Sequence, residues 1–154
     1  MSIRQTLGDF CSIVCFKHVI LGIEDVLGTD GAATVLIRAG VMRGQEVAKE
    51  AKLTGTNPAV ETLASTLNQY LGKEGTCLCS VDSVAQNGDT YVVTTSDTVC
   101  SAGEPAGGDR HCTYTLGAVQ GFLQSILGKT FVGRHTESVL RGGSADVFTF
   151  TPLN

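Results

Sequence analysis

The sequence predicts an α+β fold, an antiparallel sheet of two hairpins packed against about four helices. The first half of the chain has apolar residues at helical spacing, whereas two later regions are rich in Val, Thr and Tyr. Asn87-Gly88 is a strong hairpin turn signal because both residues tolerate positive φ. With 154 residues, the chain is long enough for a hydrophobic core, and we expect residues 1–154 to form a single domain.

Three helices are predicted in the first half of the chain. The first ends at Gly28, a typical residue at a helix C-terminus, and the second covers about residues 29–52. The third begins at Asn57-Pro58, because Asn suits the cap and Pro suits the first turn, and it stops at Gly72.

Two hairpins and a fourth helix are predicted in the second half. The fourth helix, Leu116–Gly128, carries one apolar stripe, and the Gly- and Pro-containing segment Ser96–Arg110 precedes it as a loop. The strands of the two hairpins are predicted at Thr76–Val84, Thr90–Thr95, Lys129–Glu137 and Asp146–Thr151.

Gly117 and Gly121 lie four residues apart in the predicted fourth helix. Glycine in a helix interior costs about 1 kcal/mol relative to alanine. Two glycines at this spacing indicate that another group approaches the helix backbone closely. That group is either a neighbouring element or a ligand, and tight packing is the simpler explanation.

The composition excludes several classes of function. The formal net charge is −4 and no Lys/Arg cluster occurs, which argues against nucleic-acid binding. The apolar segment Phe10–Leu27 contains charged residues and is short for a membrane span. We find no signal peptide pattern and expect a cytoplasmic protein whose six cysteines are reduced.

The segment Cys112-x-Tyr114-Thr115-x-Gly117-x-x-x-Gly121, followed by a hairpin with Glu137 and a Gly-rich turn, resembles the 4-vinyl reductase domain family. That family shares a ligand-binding superfamily with haem-based NO sensors and small subunits of the Golgi trafficking complex. The resemblance is strongest over residues 100–150 and extends back to Phe16. It implies an apolar cavity between helices and sheet that takes aromatic effectors, hydrocarbons, acyl chains or tetrapyrrole precursors.

The resemblance also raises the question of zinc. Regulators of the family carry an upstream Cys and a Glu-x2-Cys-x7-Cys run. Cys112 and Glu137 match this pattern, but Leu140 and Phe148 stand at the last two positions and cannot bind metal. A second possible set has a Cys-x-Cys spacing that is unusual for zinc: Cys77, Cys79, Cys100 and Cys112. We therefore expect no metal.

Catalytic and cofactor signals are weak. Cys112 follows His111, and His135 and Glu137 are predicted on one strand face with Phe131, but proximity in sequence does not orient a base toward a thiol. Core thiols and an ion pair within the hairpin explain these residues more simply. The family's haem motif Tyr-x-Ser-x-Arg and phosphate-binding loops are missing. We expect no catalytic residue and no cofactor.

The remaining interpretation is non-enzymatic binding of a small hydrophobic or tetrapyrrole-type ligand. Free-standing members of the resembled family imply a link to chlorophyll metabolism or photosystem assembly. Two alternatives stay open: a structural assembly factor with a vestigial cavity and a protein partner, and an enzyme acting on a porphyrin vinyl group. The enzyme lacks support because no nicotinamide, flavin or metal signature supplies electrons.

The ligand cavity is predicted against the glycine side of the fourth helix. Only one of Arg134 and His135 can face inward there, and His135 is the better candidate. The predicted ligand-binding residues are Gly117, Gly121, His111, Cys112 and His135.

A homodimer is predicted from the apolar surface. Charged residues make up 17% of the chain, below the usual ~25%, and four large apolar residues cluster near the N-terminus. Such a patch favours association, because a monomer rarely leaves it in water. The four residues are Phe10, Ile13, Val14 and Phe16.

Overall fold

The computed structural model describes residues 3–153, and within them three α-helices cover one side of a four-stranded antiparallel sheet. The predicted α+β fold is confirmed. The helices are α1 (Ile13–Glu50), α2 (Val60–Leu71) and α3 (Thr113–Leu127). The strands are β1 (Ser80–Asn87), β2 (Thr90–Ser96), β3 (Phe131–Glu137) and β4 (Asp146–Pro152), with a short 3-10 helix at Val139–Arg141.

The first two predicted helices together form the 38-residue element α1, in which two helical segments meet at a kink at Gly28. Gly28 has φ 69° and ψ 173°, which is not helical and which residues with a Cβ rarely adopt. The sequence therefore predicted the position of the break correctly. No loop separates the two segments, which is why the number of helices is three rather than four.

Two predicted boundaries are wrong because turns occupy the places of the expected cap and strand. Asn57 has φ 45°, and the helix N-cap is Ala59, so α2 begins later than the Asn-Pro pair suggested. Cys77 has φ 54° and is exposed, whereas Cys79 is buried. The two cysteines do not share a strand face, and β1 begins only at Ser80.

The sheet has the strand order β1-β2-β4-β3. Asn87 pairs with Thr90 across a two-residue turn in which Gly88 has φ 60°. The two hairpins join through β2 and β4, where Val93 faces Phe148. One face of this sheet is buried, as the alternation of buried and partly exposed residues along β2 shows.

α3 lies in the centre of the molecule, with α1 on one side and the sheet on the other. It begins at Thr113, three residues before the predicted start, and Gly128 ends it in the left-handed conformation. Burial of each large apolar side chain contributes roughly 1.5–3 kcal/mol. The largest side chains in this core are Phe122, Phe131, Phe148, Phe150, Leu63 and Leu67. None of the helices within residues 3–153 is long and apolar enough to cross a membrane.

Four glycines allow the backbones of α1 and α3 to touch where the helices cross. A Cβ atom at Gly117 would collide with the carbonyl oxygen of Ile37, and one at Gly121 with that of Val41. On α1, Gly40 and Gly44 face the α3 backbone in the same way. The space beside Gly117 and Gly121 is thus filled by a facing helix. The prediction of a ligand cavity at that place is wrong.

A single methyl group at this crossing should destabilise the protein. We expect Gly121→Ala to lower the free energy of unfolding by roughly 1–3 kcal/mol or more, because the carbonyl oxygen of Val41 cannot retreat without moving the helix. Gly22→Ala is the matched control, since the added methyl group would have no atom within 4 Å other than those of the adjacent residues and its own helix backbone. The control should be neutral or gain up to about 1 kcal/mol. Urea unfolding followed by circular dichroism measures both, and equal stabilities would contradict the crossing.

Candidate functional site

A buried hydrogen bond between His135 and Asp146 forms the polar centre of the structure. His135 Nε2 lies 3.1 Å from Asp146 Oδ1, and each side chain is 1% exposed. Asp146 Oδ2 accepts hydrogen bonds from the hydroxyl groups of Thr98 and Ser101, the second at 2.7 Å. The backbone N–H of Cys112 donates to His135 Nδ1 at 3.2 Å. The cluster therefore joins β3, β4, the loop after β2 and the start of α3.

Asp146 is held in its charged form by this surrounding shell of donors. Burial by itself raises the pKa of the Asp146 carboxyl, but hydrogen bonds from His135, Thr98, Ser101 and Ser138 together bring that pKa well below its usual range. A buried carboxylate is tolerated because each oxygen has a partner, and no buried side-chain nitrogen or oxygen within residues 3–153 lacks one.

The same cluster brings together three possible metal ligands. The ligand atoms of Cys112, His135 and Asp146 lie within 4.8 Å of one another. His135 Nδ1, however, accepts a backbone N–H, so the proton of the neutral ring is on Nε2 and points at Asp146. A metal at Nε2 would need that lone pair and a proton on Nδ1. The geometry favours a hydrogen-bonded cluster, and the absence of zinc stays a prediction.

The buried thiols do not form an activated nucleophile with His135. Cys112 interacts with the sulfur of Cys100, which raises the pKa of the Cys112 thiol and lowers that of Cys100. Cys100 also lies 3.4 Å from the hydroxyl group of Thr115. Both nitrogens of His135 are already engaged, so neither accepts a proton from Cys112. All six cysteines are free thiols, and neither Cys100 nor Cys112 lines a cavity described below.

The prediction that His135 and Glu137 share one strand face is wrong because β3 contains a bulge. His135 pairs with Phe148 and Glu137 with Val147, so β3 has one extra residue between these pairs. Glu137 is exposed as a result, and the acidic partner of His135 is Asp146. The prediction that His135 rather than Arg134 faces inward is confirmed, since Arg134 is exposed.

A cavity of about 430 Å³, which we call the larger cavity, is lined by the start of α1 and the residues just before it, by the end of α2 and the segment after it, and by the first turns of α3. This volume is within the range of roughly 300–1,000 Å³ that is typical of ligand pockets. Arg43 and Tyr114 are polar groups in its wall. Its apolar lining consists of Phe10, Ile13, Phe16, Leu71, Leu78, Val99 and Ala118.

The smaller cavity, about 330 Å³, contains two of the predicted ligand-binding residues, His111 and His135. Their ring centroids are 5.7 Å apart, and burial together with Arg141 and His135 lowers the pKa of His111. This cavity is more polar because its wall also includes Glu24, Asp30, Asp109 and Arg110. Cys112 is buried behind it, and Gly117 and Gly121 line neither cavity. The structure thus brings together only part of the predicted set.

Sequence reasoning missed Asp146 and the larger cavity. A charged residue at the start of the otherwise uncharged strand Asp146–Pro152 was the available signal for a buried, paired carboxylate. The cavity had no comparable signal, because its walls come from segments far apart in the chain, such as Phe10, Leu71 and Val99.

Comparison with known structures finds several that share this fold. The chain is similar to the phenol-responsive sensory domain of the transcription activator PoxR with phenol, at 18% identity and TM-score 0.67, over 94% of this chain and 77% of that one. It is similar to trafficking protein particle complex subunit 3 from Naegleria fowleri, covalently bound to palmitic acid, at 11% identity and TM-score 0.57, over 93% and 98%.

A third similar structure is a vinyl-4-reductase family protein from Methanocaldococcus jannaschii, at 16% identity and TM-score 0.53, over 96% of this chain and 85% of that one. No protein-family model matches the sequence, and no curated protein matches it. At these identities the likeness shows the fold. The resemblance inferred from the sequence is confirmed at the level of the fold, since a vinyl-4-reductase family protein and a trafficking complex subunit are both among the similar structures.

Removal of the buried charge should destabilise the protein most at neutral pH. We expect Asp146→Asn to lower the free energy of unfolding by roughly 1–3 kcal/mol or more, because an amide cannot accept every hydrogen bond that the carboxylate accepts. The folded-state pKa of Asp146 is below the unfolded value of about 3.9. Its contribution is therefore present above about pH 4 and is lost as the pH falls further.

Urea unfolding at neutral and acidic pH tests this expectation, with Asp89→Asn as the control at an exposed carboxylate that is 3.8 Å from Lys129. The difference between wild type and Asp146→Asn should narrow on acidification. A variant as stable as wild type at neutral pH would show that the cluster does not hold the fold together.

Proposed function

We propose that this protein binds a small apolar ligand in the larger cavity without changing it chemically. The observation that carries the proposal is a cavity of about 430 Å³ whose wall is mostly apolar and which lies beside, not between, the crossing helices. A free protein that exposes such a wall to water loses hydrophobic stabilisation, and an apolar ligand would restore it.

Arg43 and Tyr114 favour a ligand that carries one acidic or hydroxyl group. Arg43 lies in the cavity wall, and its ion pair with Glu50 at 3.5 Å is between two well-exposed side chains. Such a pair is worth little in water, so the guanidinium group remains available to a ligand. Tyr114 lies in the same wall, where burial raises the pKa of its hydroxyl group.

The similar structures agree with this chemistry. The PoxR domain is described with phenol, and the Naegleria fowleri subunit is described as covalently bound to palmitic acid. An aromatic alcohol and a long-chain acid both combine an apolar body with one polar group. The proposal also includes a tetrapyrrole-type ligand and a link to chlorophyll metabolism or photosystem assembly. Both come from the family resemblance alone.

A binding role is a better explanation of the side chains than catalysis. The thiol of Cys112 has a raised pKa and is buried, and both nitrogens of His135 are engaged. Neither cavity brings a free base next to a thiolate. An enzyme acting on a porphyrin vinyl group would in addition require an electron source, and the sequence carries no motif for one. A cytoplasmic location is part of the proposal, supported by six free cysteines.

A charge introduced into the cavity wall should weaken binding of an apolar probe. We expect Ile13→Asp to raise the Kd for the neutral dye Nile red about tenfold or more, because the carboxylate loses solvation when the dye enters. Val19→Asp is the matched control, since Val19 is on the same helix, is exposed and lines neither cavity. Fluorescence titration measures both.

Thermal melting in the absence of dye checks that both variants are folded. Equal Kd values for wild type and Ile13→Asp would place the dye elsewhere. If the wild type does not bind the dye, the proposed function is contradicted. Titration with protoporphyrin IX, in the same two variants, tests the tetrapyrrole version separately.

A second candidate, an assembly role, is favoured by exposed apolar residues along the outside of α1. Val14 and Leu21 lie seven residues apart before the bend, and Val35 and Met42 lie seven apart after it, all exposed. Residues seven apart share one face of a helix. Phe16, one of the residues that predicted a dimer from the sequence, instead packs edge-on against Tyr114 at 4.9 Å. A homodimer through this outer face of α1 is our proposal.

The dimer should depend on the outer face of α1. We expect light scattering at tens of micromolar to give a dimeric mass for wild type and a monomeric mass for Val35→Glu. In the dimer, the glutamate of each protomer would be buried at the interface, would lose its solvation and would repel the glutamate of the other protomer. Val26→Glu is the control, at an exposed position on another side of the helix. A monomeric wild type, or a dimeric Val35→Glu, would overturn this arrangement.

A further inference from the structure

The two halves of α1 are held in different ways. After Gly28, the buried side includes Ala32, Leu36, Val47 and Ala48 and reaches the α3 crossing. Before Gly28, the one fully buried side chain is Ile20. We call residues 13–27 the strap. A segment with so few buried contacts has a lower local stability than the helix that follows it.

Ion pairs add to the limited core packing of the strap, which comes from Ile20, Phe16 and Ile23. Glu104, in the loop between β2 and α3, accepts Lys17 Nζ at 2.6 Å and Arg110 Nη1 at 2.8 Å through the same oxygen. Arg110 Nη2 lies 2.8 Å from Glu24 Oε2. Lys17 also donates to the carbonyl oxygen of Ala102. The strap is thus tied to the loop at two positions seven residues apart, and Glu104 is the shared anion.

This clamp is stronger than an ordinary surface pair. The four charged side chains are between 15% and 27% exposed, so water and salt screen them only in part. The hydrogen bond from Lys17 also contributes to a pKa of Glu104 below its usual value. The clamp defined by Lys17, Glu24, Glu104 and Arg110 is therefore closed at neutral pH.

The strap forms one wall of the larger cavity. Ile13 and Phe16 come from the strap itself, and Phe10 comes from the residues just before it. The opposite wall, which includes Leu71 and Val99, belongs to the well-packed part of the molecule. Gly28 lies at the junction of the two parts and is the one residue of α1 with positive φ. Rotation at Gly28 would move one cavity wall and leave the other in place.

We propose that the strap is a gate for the larger cavity, with Gly28 as its hinge and the clamp on Glu104 as its latch. The proposal rests on the proposed ligand site for its binding aspect. A ligand enters and leaves when the latch opens, so weakening the latch accelerates both steps. Affinity changes little, because the closed form and its contacts with the ligand remain the same.

The test is Glu104→Gln, which removes the shared anion and keeps the size of the side chain. We expect backbone amides of residues 13–27 to exchange with deuterium about tenfold faster, and Nile red to bind and dissociate about tenfold faster with a nearly unchanged Kd, a factor equivalent to about 1.4 kcal/mol in the opening equilibrium. Stopped-flow fluorescence gives both rate constants. Glu50→Gln is the matched control, because it removes the Arg43–Glu50 pair beyond the hinge.

Two further measurements act on the latch and the hinge separately. Salt at about 1 M should accelerate strap exchange in wild type and less in Glu104→Gln, because the variant already lacks both ion pairs of Glu104 and retains only the Arg110–Glu24 pair for salt to screen. Gly28→Ala should also accelerate strap exchange, since alanine is strained at φ 69°. It provides a second route if Glu104→Gln does not fold.

The outcomes separate the gate from the ligand site. Unchanged strap exchange in Glu104→Gln would overturn the latch. Faster exchange with unchanged dye kinetics, or a large change in Kd that comes from only one of the two rate constants, would overturn the gate. If wild type binds no Nile red, the proposed function is contradicted, and the exchange data still decide whether Glu104 holds the strap.

Discussion

The backbone contact between α1 and α3 is the constraint on which the remaining structure depends. Gly40 and Gly44 on one helix meet Gly117 and Gly121 on the other, so no side chain separates the two axes at the crossing. The opposite side of α3 packs on the sheet. The crossing thereby determines the distance from α1 to the sheet and leaves no room for a ligand between the helices. Space for a ligand arises only beside the crossing, where larger side chains hold the elements apart.

The elements were predictable where a local signal determines them. Glycine in a conformation that other residues avoid marks the bend at Gly28, the turn at Gly88 and the end of α3 at Gly128, and all three follow from the sequence. Local signals failed at Asn57 and Cys77, because both residues adopt positive φ without being glycine. The turn at Asn57 is held by a tertiary contact, the hydrogen bond from the Asn57 N–H to the Ile126 carbonyl oxygen, and the turn at Cys77 by hydrogen bonds to the nearby carbonyl oxygens of Gly72 and Lys73.

The sequence correctly predicted the inward orientation of His135 and a close approach at Gly117 and Gly121, but not the groups that these residues contact. Alternation along β3 correctly placed His135 inside, but a bulge moved Glu137 out, and no pattern within one strand reveals a bulge. The partner of His135 is Asp146, on the neighbouring strand. The glycine pair Gly117 and Gly121 correctly indicated a close approach, yet the sequence could not decide between a helix and a ligand. That decision depends on packing of distant segments.

The buried carboxylate and the proposed gate are connected through the loop between β2 and α3. Near its start, Thr98 and Ser101 donate to Asp146, and at its end the N–H of Cys112 donates to His135, itself bound to Asp146. Both ends of the loop are therefore fixed to one buried charge, and Glu104 lies between them. Glu104 can hold the strap only if the loop that carries it keeps its position. The hydrogen bonds around Asp146 fix both ends of this loop, while its exposed middle remains able to separate from the strap.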